Sequence, residues 1–390
     1  MNSTQEKFSE ILSGACSAGI FPGAIAISLD RQSICAVSAC GFANTATDLP
    51  MAAATVLWIA SATKPVTTCA ALQLVEAGSL SLDGDAADLI PELREVVVLD
   101  GFDASGKPRL RPCRRSITLH HLLTHTAGFC YDIWQEDIAR YIALYEIPGT
   151  MSGLKASLSL PVAFEPGTAW QYGISIDYVG QLIEAASGKR LDHYVHDHIL
   201  APLGMTDTGF VIRDDWRPRL AAVHVRGADG SFEPIELEMP SAPEQFMGGH
   251  GLYSTASDYA RFLRMLLNEG EIEGVRILEP ETVRSMFQSQ CGALPIRRLP
   301  TFNPDLAADL GIYPEQEQLW GFGFMLNASP MPCGLNPNSG SWAGLANDFF
   351  WVDPTAGTAG LLFAQCFPFA TEAMFSIVRG IQQATYTNRA

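Results

Sequence analysis

Positive charge is scarce in this 390-residue chain: 25 Lys and Arg stand against 42 Asp and Glu, for a formal net charge of −17. That balance argues against nucleic acid and anionic membrane surfaces as partners, because both are recognised through clustered Lys and Arg. No stretch reaches the roughly eighteen uninterrupted apolar residues that a membrane-crossing helix needs. The first thirty residues lack the positively charged start, apolar run and cleavage site of a secretory leader. The nine cysteines are an odd number at scattered positions without a Cys-x-x-Cys pair, so a reduced cytoplasmic protein is expected and not a disulfide framework. There is no Gly-x-Ser-x-Gly elbow, no Gly-x-Gly-x-x-Gly fingerprint and no phosphate-cradling loop, which removes the usual α/β-hydrolase, dinucleotide and nucleotide readings. His121 and His125 lie four apart and His193, His196 and His198 cluster, but no Cys or acidic partner stands at a fixed spacing from them. Neither a metal nor another cofactor is expected.

What the chain has is core. Hydrophobic residues make up 47% and charged residues 17%, enough for one large globular domain or two interleaved ones. A capped amphipathic helix opens at Ser3-x-x-Glu6, with Phe8, Ile11 and Leu12 on one face. Two β-rich runs follow at 24–29 and 34–39, joined by Asp30-Arg31-Gln32 in a hairpin. From 61 to about 290 the pattern is mainly helical, with segments at 117–123, 174–186, 191–200, 257–267 and 279–287. Ser257 reads as an opening cap, and Gly188 and Gly270 as stops. Strand signals return at 321–325, 341–351 and 358–366, and a last helix covers 371–384. Strands at both ends with helices between predict an α/β protein of the α+β type: an antiparallel sheet flanked by helices and built from both termini (1–60 and 315–390), with an inserted mainly helical domain (61–314). The default place for a site is the cleft between them. The Pro-rich segment 292–317 has no strong periodicity and reads as a loop near that cleft.

One constellation carries chemistry. In Trp58-Ile59-Ala60-Ser61-Ala62-Thr63-Lys64 a serine precedes a lysine by three residues at the start of a helical pattern over 65–74. A serine needs a partner to take its proton before it can attack a carbonyl. A lysine one turn later lies on the same helix face. The chain contains a second such spacing, Ser152-Gly153-Leu154-Lys155, in a Gly- and Thr-flanked stretch that reads as loop. A tyrosine could complete the pair, since a phenol whose pKa is lowered by nearby cations can relay protons. The best placed is Tyr172, which follows the turn Glu165-Pro166-Gly167 and precedes a helix.

These residues, with Leu122-Leu123-Thr124-His125-Thr126-Ala127-Gly128, the run from Gly248-Gly249-His250-Gly251-Leu252-Tyr253-Ser254-Thr255 to Phe262, and Trp342-Ala343-Gly344, resemble the serine β-lactamase and penicillin-recognising superfamily, and within it the class C-related family VIII carboxylesterases. The resemblance covers nearly the whole chain. It implies that Ser61 is the acylated nucleophile, Lys64 its general base and Tyr172 the third member. It implies that Trp342-Ala343-Gly344 occupies the strand where penicillin-recognising members carry Lys-Thr-Gly. The backbone N–H groups of Ser61 and Leu345 would then form the oxyanion hole. His125 and the 248–262 segment are expected to be scaffold.

Two departures from the lactamase pattern bear on substrate. Trp342 stands where a lysine would hold a carboxylate, and Ile174 where an asparagine would contact an amide. Trp342, Ala343, Gly344 and Ile174 are therefore expected to line an apolar pocket that favours uncharged, short-chain esters. The reading is a serine esterase acting on a small-molecule ester. Its rivals are a β-lactamase or D-amino-acid peptidase, an acyltransferase using the same acyl-enzyme, and a non-catalytic binding protein.

Overall fold

The computed structural model describes residues 3–311 and 316–387. Its centre is an eight-stranded antiparallel sheet made by the two ends of the chain. The strands are β1 (Gly23–Asp30), β2 (Ile34–Asn44), a two-residue strand at Leu49–Pro50, β3 (Gln318–Trp320), β4 (Met325–Asn327), β5 (Gly340–Gly344), β6 (Asp348–Asp353) and β7 (Thr358–Ala364). Their spatial order is β3-β4-β5-β6-β7-β1-β2 followed by Leu49–Pro50, so β1 and β7 pair side by side in mid-sheet, Ala24 opposite Ala364 through Asp30 opposite Thr358. Seven of the eight β1 residues are buried, which is why its Ala-Ile-Ala-Ile run does not alternate with polar residues.

Helices cover the sheet. Helix α1 (Ser3–Ser17) packs on β2 and on α5 (Glu372–Tyr386), and α4 (Ala256–Leu267) packs on β1, β6 and β7. Helices α2 (Thr63–Glu76) and α3 (Ser175–Ser187) pack on each other. The α/β class with a flanked antiparallel sheet built from both termini is therefore the observed one; the boundary placed between 314 and 315 lies outside the described residues.

Several element boundaries differ from the sequence reading, each for a local reason. In the run 321–325 only Met325 is strand, and 321–324 form a bend: Gly323 is left-handed at φ 93°, and a Cβ on Gly321 would meet the Met286 carbonyl oxygen at 2.0 Å. Its flanks, β3 and β4, are the strands. The expected strand 341–351 is a hairpin, β5 and β6, turned by Asn347 at φ 69°. Helix α4 is capped by Thr255, whose hydroxyl accepts from the Asp258 N–H, so Ser257 lies inside it. The helix at 119–123 is capped by Thr118 in a reciprocal box with His121. At His196 the helix expected over 191–200 widens into a π-turn. The middle of the chain also holds short antiparallel pairs, 97–102 with 108–112 and 223–226 with 232–235, whose turns carry the Gly and Asp of Asp103-Ala104-Ser105-Gly106 and Gly227-Ala228-Asp229-Gly230.

Candidate active site

Ser61 is the middle residue of a tight 3-10 turn, Ala60–Ala62, leading directly into α2. The turn is approached by the strand Val56–Trp58, which pairs with Tyr253–Thr255. Gln365 brackets the backbone of Trp58, its side-chain oxygen accepting from the Trp58 N–H at 3.2 Å and its amide donating to the Trp58 carbonyl at 3.1 Å. The indole N–H of Trp58 donates to the His250 carbonyl at 2.7 Å. This framework holds Ala60 at φ 43°, a left-handed conformation unfavourable to any residue with a Cβ. Strain of that kind persists only where the surroundings over-determine it, and here it sits one residue before the serine.

Lys64 lies one turn later and is fully buried. Its Nζ is 3.0 Å from Ser61 Oγ, 3.2 Å from the Tyr131 hydroxyl and 2.8 Å from the Gly249 carbonyl oxygen. Burial drives its pKa down to about 7, against a smaller upward pull from Asp177. A neutral amine has two N–H donors and one lone pair. The three partners match that inventory: N–H groups serve Gly249 and Tyr131, and the lone pair faces the Ser61 O–H.

Tyr172 is buried and bonded to Ser61 through its hydroxyl, which also accepts from the Trp342 indole N–H at 3.2 Å. Burial pushes the phenol well above its ordinary pKa, with the Ser61 and Trp342 hydrogen bonds acting in opposition. This reverses the expectation of a phenol acidified by cations, because the same burial holds the neighbouring Lys64 near neutrality. Tyr172 is thus a protonated donor. Its ring lies 4.7 Å from that of Trp342 and 4.8 Å from that of His125, and Lys64 Nζ sits 4.7 Å above its centroid.

Strand β5 brings Trp342, Ala343 and Gly344 against the nucleophile turn. A Cβ on Gly344 would lie 2.3 Å from the Ile59 carbonyl oxygen, so only glycine allows this backbone-on-backbone approach. Leu345 follows on the wall of the same cavity as Ser61. Among the described residues neither the Ser61 nor the Leu345 amide donates to a backbone carbonyl outside the regular elements.

The cavity above Ser61 holds about 280 Å³. Its walls are largely aromatic and aliphatic, with Trp58, Tyr131, Trp134, Tyr172, Trp342 and Phe369 joined by Met151, Leu306 and Leu310; Asp132, Thr150, His250 and Asn303 supply polar atoms. Asn303, Leu306 and Leu310, from within the 292–317 segment, lie at the cleft. Ile174 is fully buried in the core at the start of α3 and is not among the residues that line this cavity. Gly344 likewise packs on Ile59 and not on the cavity. The second Ser-x-x-Lys is not assembled, since Ser152 Oγ accepts from the Leu154 N–H at 3.3 Å and Lys155 is exposed.

Two contributors escaped the sequence reading. Tyr131 reaches Lys64 from a loop 67 residues away, with no local pattern to mark it. The Gly248–His250 turn, expected to be scaffold, supplies the Gly249 carbonyl to Lys64 and places His250 on the cavity wall. No group of three or more His, Cys, Asp or Glu among the described residues is arranged to hold a metal ion, and no described helix is long and apolar enough to cross a membrane.

A family profile described as Beta-lactamase matches residues 10–379. The chain is 34% identical over 322 residues to a lovastatin esterase of Penicillium rubens, covering 78% of each chain. It is 31% identical over 356 residues to a monacolin J acid methylbutanoyltransferase of Aspergillus terreus, covering 84% of this chain and 81% of that protein. Among solved structures, unliganded simvastatin synthase from Aspergillus terreus superposes with a TM-score of 0.84 at 29% identity, over 99% of this chain and 98% of that one.

Proposed function

From the premise that the chain belongs to the beta-lactamase family, we propose that it is a serine esterase that cleaves short-chain, uncharged carboxylic esters through an acyl-enzyme on Ser61. The observation that carries this reading is a buried Lys64, held near neutrality, with its Nζ 3.0 Å from Ser61 Oγ at the floor of an apolar cavity. Lys64 takes the Ser61 proton as Oγ attacks the ester carbonyl carbon. The oxyanion that forms lies toward the Ser61 and Leu345 amides; preorganised donors of this kind are worth about 10²–10³ in rate each. The leaving alkoxide takes a proton from Tyr172, which regains one from the Lys64 ammonium. Water then attacks the acyl carbon, the same groups carry its proton to Ser61 Oγ, and the acid leaves. Trp342 in place of a cation supports uncharged substrates over penicillins. No cofactor is called for by these steps.

Acyl transfer is the second reading, supported by the methylbutanoyltransferase among the relatives. An alcohol acceptor would replace water in the second half of the same cycle.

The test is hydrolysis of p-nitrophenyl acetate, butyrate and octanoate, and of nitrocefin, by the native protein, Ser61→Ala and Ser152→Ala, with and without added alcohols. Ester turnover that only Ser61→Ala abolishes, with nitrocefin slow, is the expected result. New ester formed in proportion to added alcohol moves the assignment to acyltransferase, nitrocefin turnover matching the esters moves it to β-lactamase, and an inert Ser61 rejects catalysis altogether.

A further inference from the structure

Beneath the site lies a buried carboxylate that the catalytic cycle leaves unused. Asp177, in the first turn of α3, is 1% exposed. Its Oδ1 accepts from the Gly249 N–H at 2.8 Å, and on the other side of the same residue the Gly249 carbonyl accepts from Lys64 Nζ at 2.8 Å. The fit is close: a Cβ on Gly249 would lie 2.8 and 2.9 Å from the two carboxylate oxygens. Oδ2 is buried with no hydrogen-bond partner among the described residues, and His250 Nδ1 stands 3.7 Å from Oδ1. A carboxylate so poorly solvated is costly, and persists where its charge or shape is used.

Resting on the Ser61–Lys64 reading above, we propose that Asp177 is a positioning residue for the Lys64 amine, acting through the Gly249 residue it holds and through its own charge. The groups around Lys64 leave little else to supply a charge. Burial holds His125 and His250 below their ordinary pKa, hence neutral, and Tyr131 and Tyr172 above theirs, hence protonated. Among the described residues Asp177 is the group that acts on Lys64 through its charge, and it favours the protonated amine. Without it Lys64 would be a weaker base and a poorer acceptor of the serine proton.

The experiment follows phosphonate labelling of Ser61, which reports the nucleophile without needing the physiological substrate. The rate constant for a fluorophosphonate is measured from pH 5 to 10 by intact mass for the native protein, Asp177→Asn and Asp177→Glu, with Ser61→Ala as blank. The native rate is expected to rise through a midpoint near pH 7. Asp177→Asn, which keeps the acceptor shape and loses the charge, is expected to move that midpoint down by about one pH unit, as removal of a nearby opposite charge does, and to lower the plateau several-fold. A folded Asp177→Asn protein with the native midpoint overturns the proposal and leaves Asp177 a packing role only. Should Asp177→Asn not fold, Asp177→Glu decides: a midpoint at or above the native value supports the proposal, and a lowered one overturns it. A native Ser61 that labels at no pH removes the acyl-enzyme reading itself, and the role of Asp177 with it.

Discussion

At the scale of single residues the site trades stability for reactivity, and Lys64 shows the sign of that trade. Its folded pKa of about 7 lies below the ordinary 10.5, so between those values the unfolded chain binds more protons than the folded one and stability rises with pH. Below about pH 7 the full burden remains, roughly 4 to 5 kcal/mol by the size of the shift. Lys64→Met removes that burden and also loses hydrogen bonds to Ser61, Tyr131 and Gly249. The variant is expected to be inactive yet to melt a few degrees above the native protein at pH 6, with the gap closing toward pH 10; calorimetry across that range checks it, and a variant less stable at pH 6 contradicts it. The same residue sets the activity profile. Because Lys64 must be deprotonated to receive the serine proton, kcat/KM for esters is expected to rise through about pH 7, and Tyr172, held protonated by burial, contributes no fall below pH 10. A stopped-flow pH profile with a falling limb near neutrality would contradict these protonation states.

At the scale of elements, the site depends on the contact between β5 and the Ser61 turn. The strand carries Trp342 to Tyr172 and, through Gly344, comes within a glycine's clearance of Ile59. Gly344→Ala puts a methyl group 2.3 Å from the Ile59 carbonyl oxygen, with the Asp348 Cβ 3.1 Å away. Such overpacking costs about 1–3 kcal/mol. Because the strand moves as a unit with the Leu345 amide, kcat is expected to fall by about 10² while KM changes little; steady-state kinetics beside a melting curve separates the two effects. The strand-to-turn corrections belong to this scale as well. Gly321 and Gly323 read as strand from their aromatic neighbours, and became a turn because the chain there passes against Met286 and α2.

At the scale of the whole molecule, the cavity is closed by parts distant in sequence: the loop bearing Tyr131 and Trp134, the 149–151 turn, the 303–310 segment, β5 and Phe369. Leu310 makes no contribution to the proton network and only bounds the space. Leu310→Ala is expected to raise the ratio of octanoate to acetate turnover several-fold, within the range by which an apolar pocket discriminates chain length, leaving the pH profile unmoved; an unchanged ratio would take Leu310 out of the acyl pocket. The sequence by itself determined the elements whose information is local: the Ser61–Lys64 spacing, the helix that follows it, the Tyr172 turn, the Trp342-Ala343-Gly344 strand and the two-ended sheet. Helical period, turn chemistry and strand composition are short-range properties and survive in a single chain. Tertiary structure alone decided that Tyr131 and the Gly249 carbonyl complete the Lys64 shell, that Ile174 is core, that Ser152 and Lys155 stay apart, and that Tyr172 remains protonated. Each of these depends on burial or on contacts between residues far apart in the chain, where desolvation outweighs the charges that local sequence reveals.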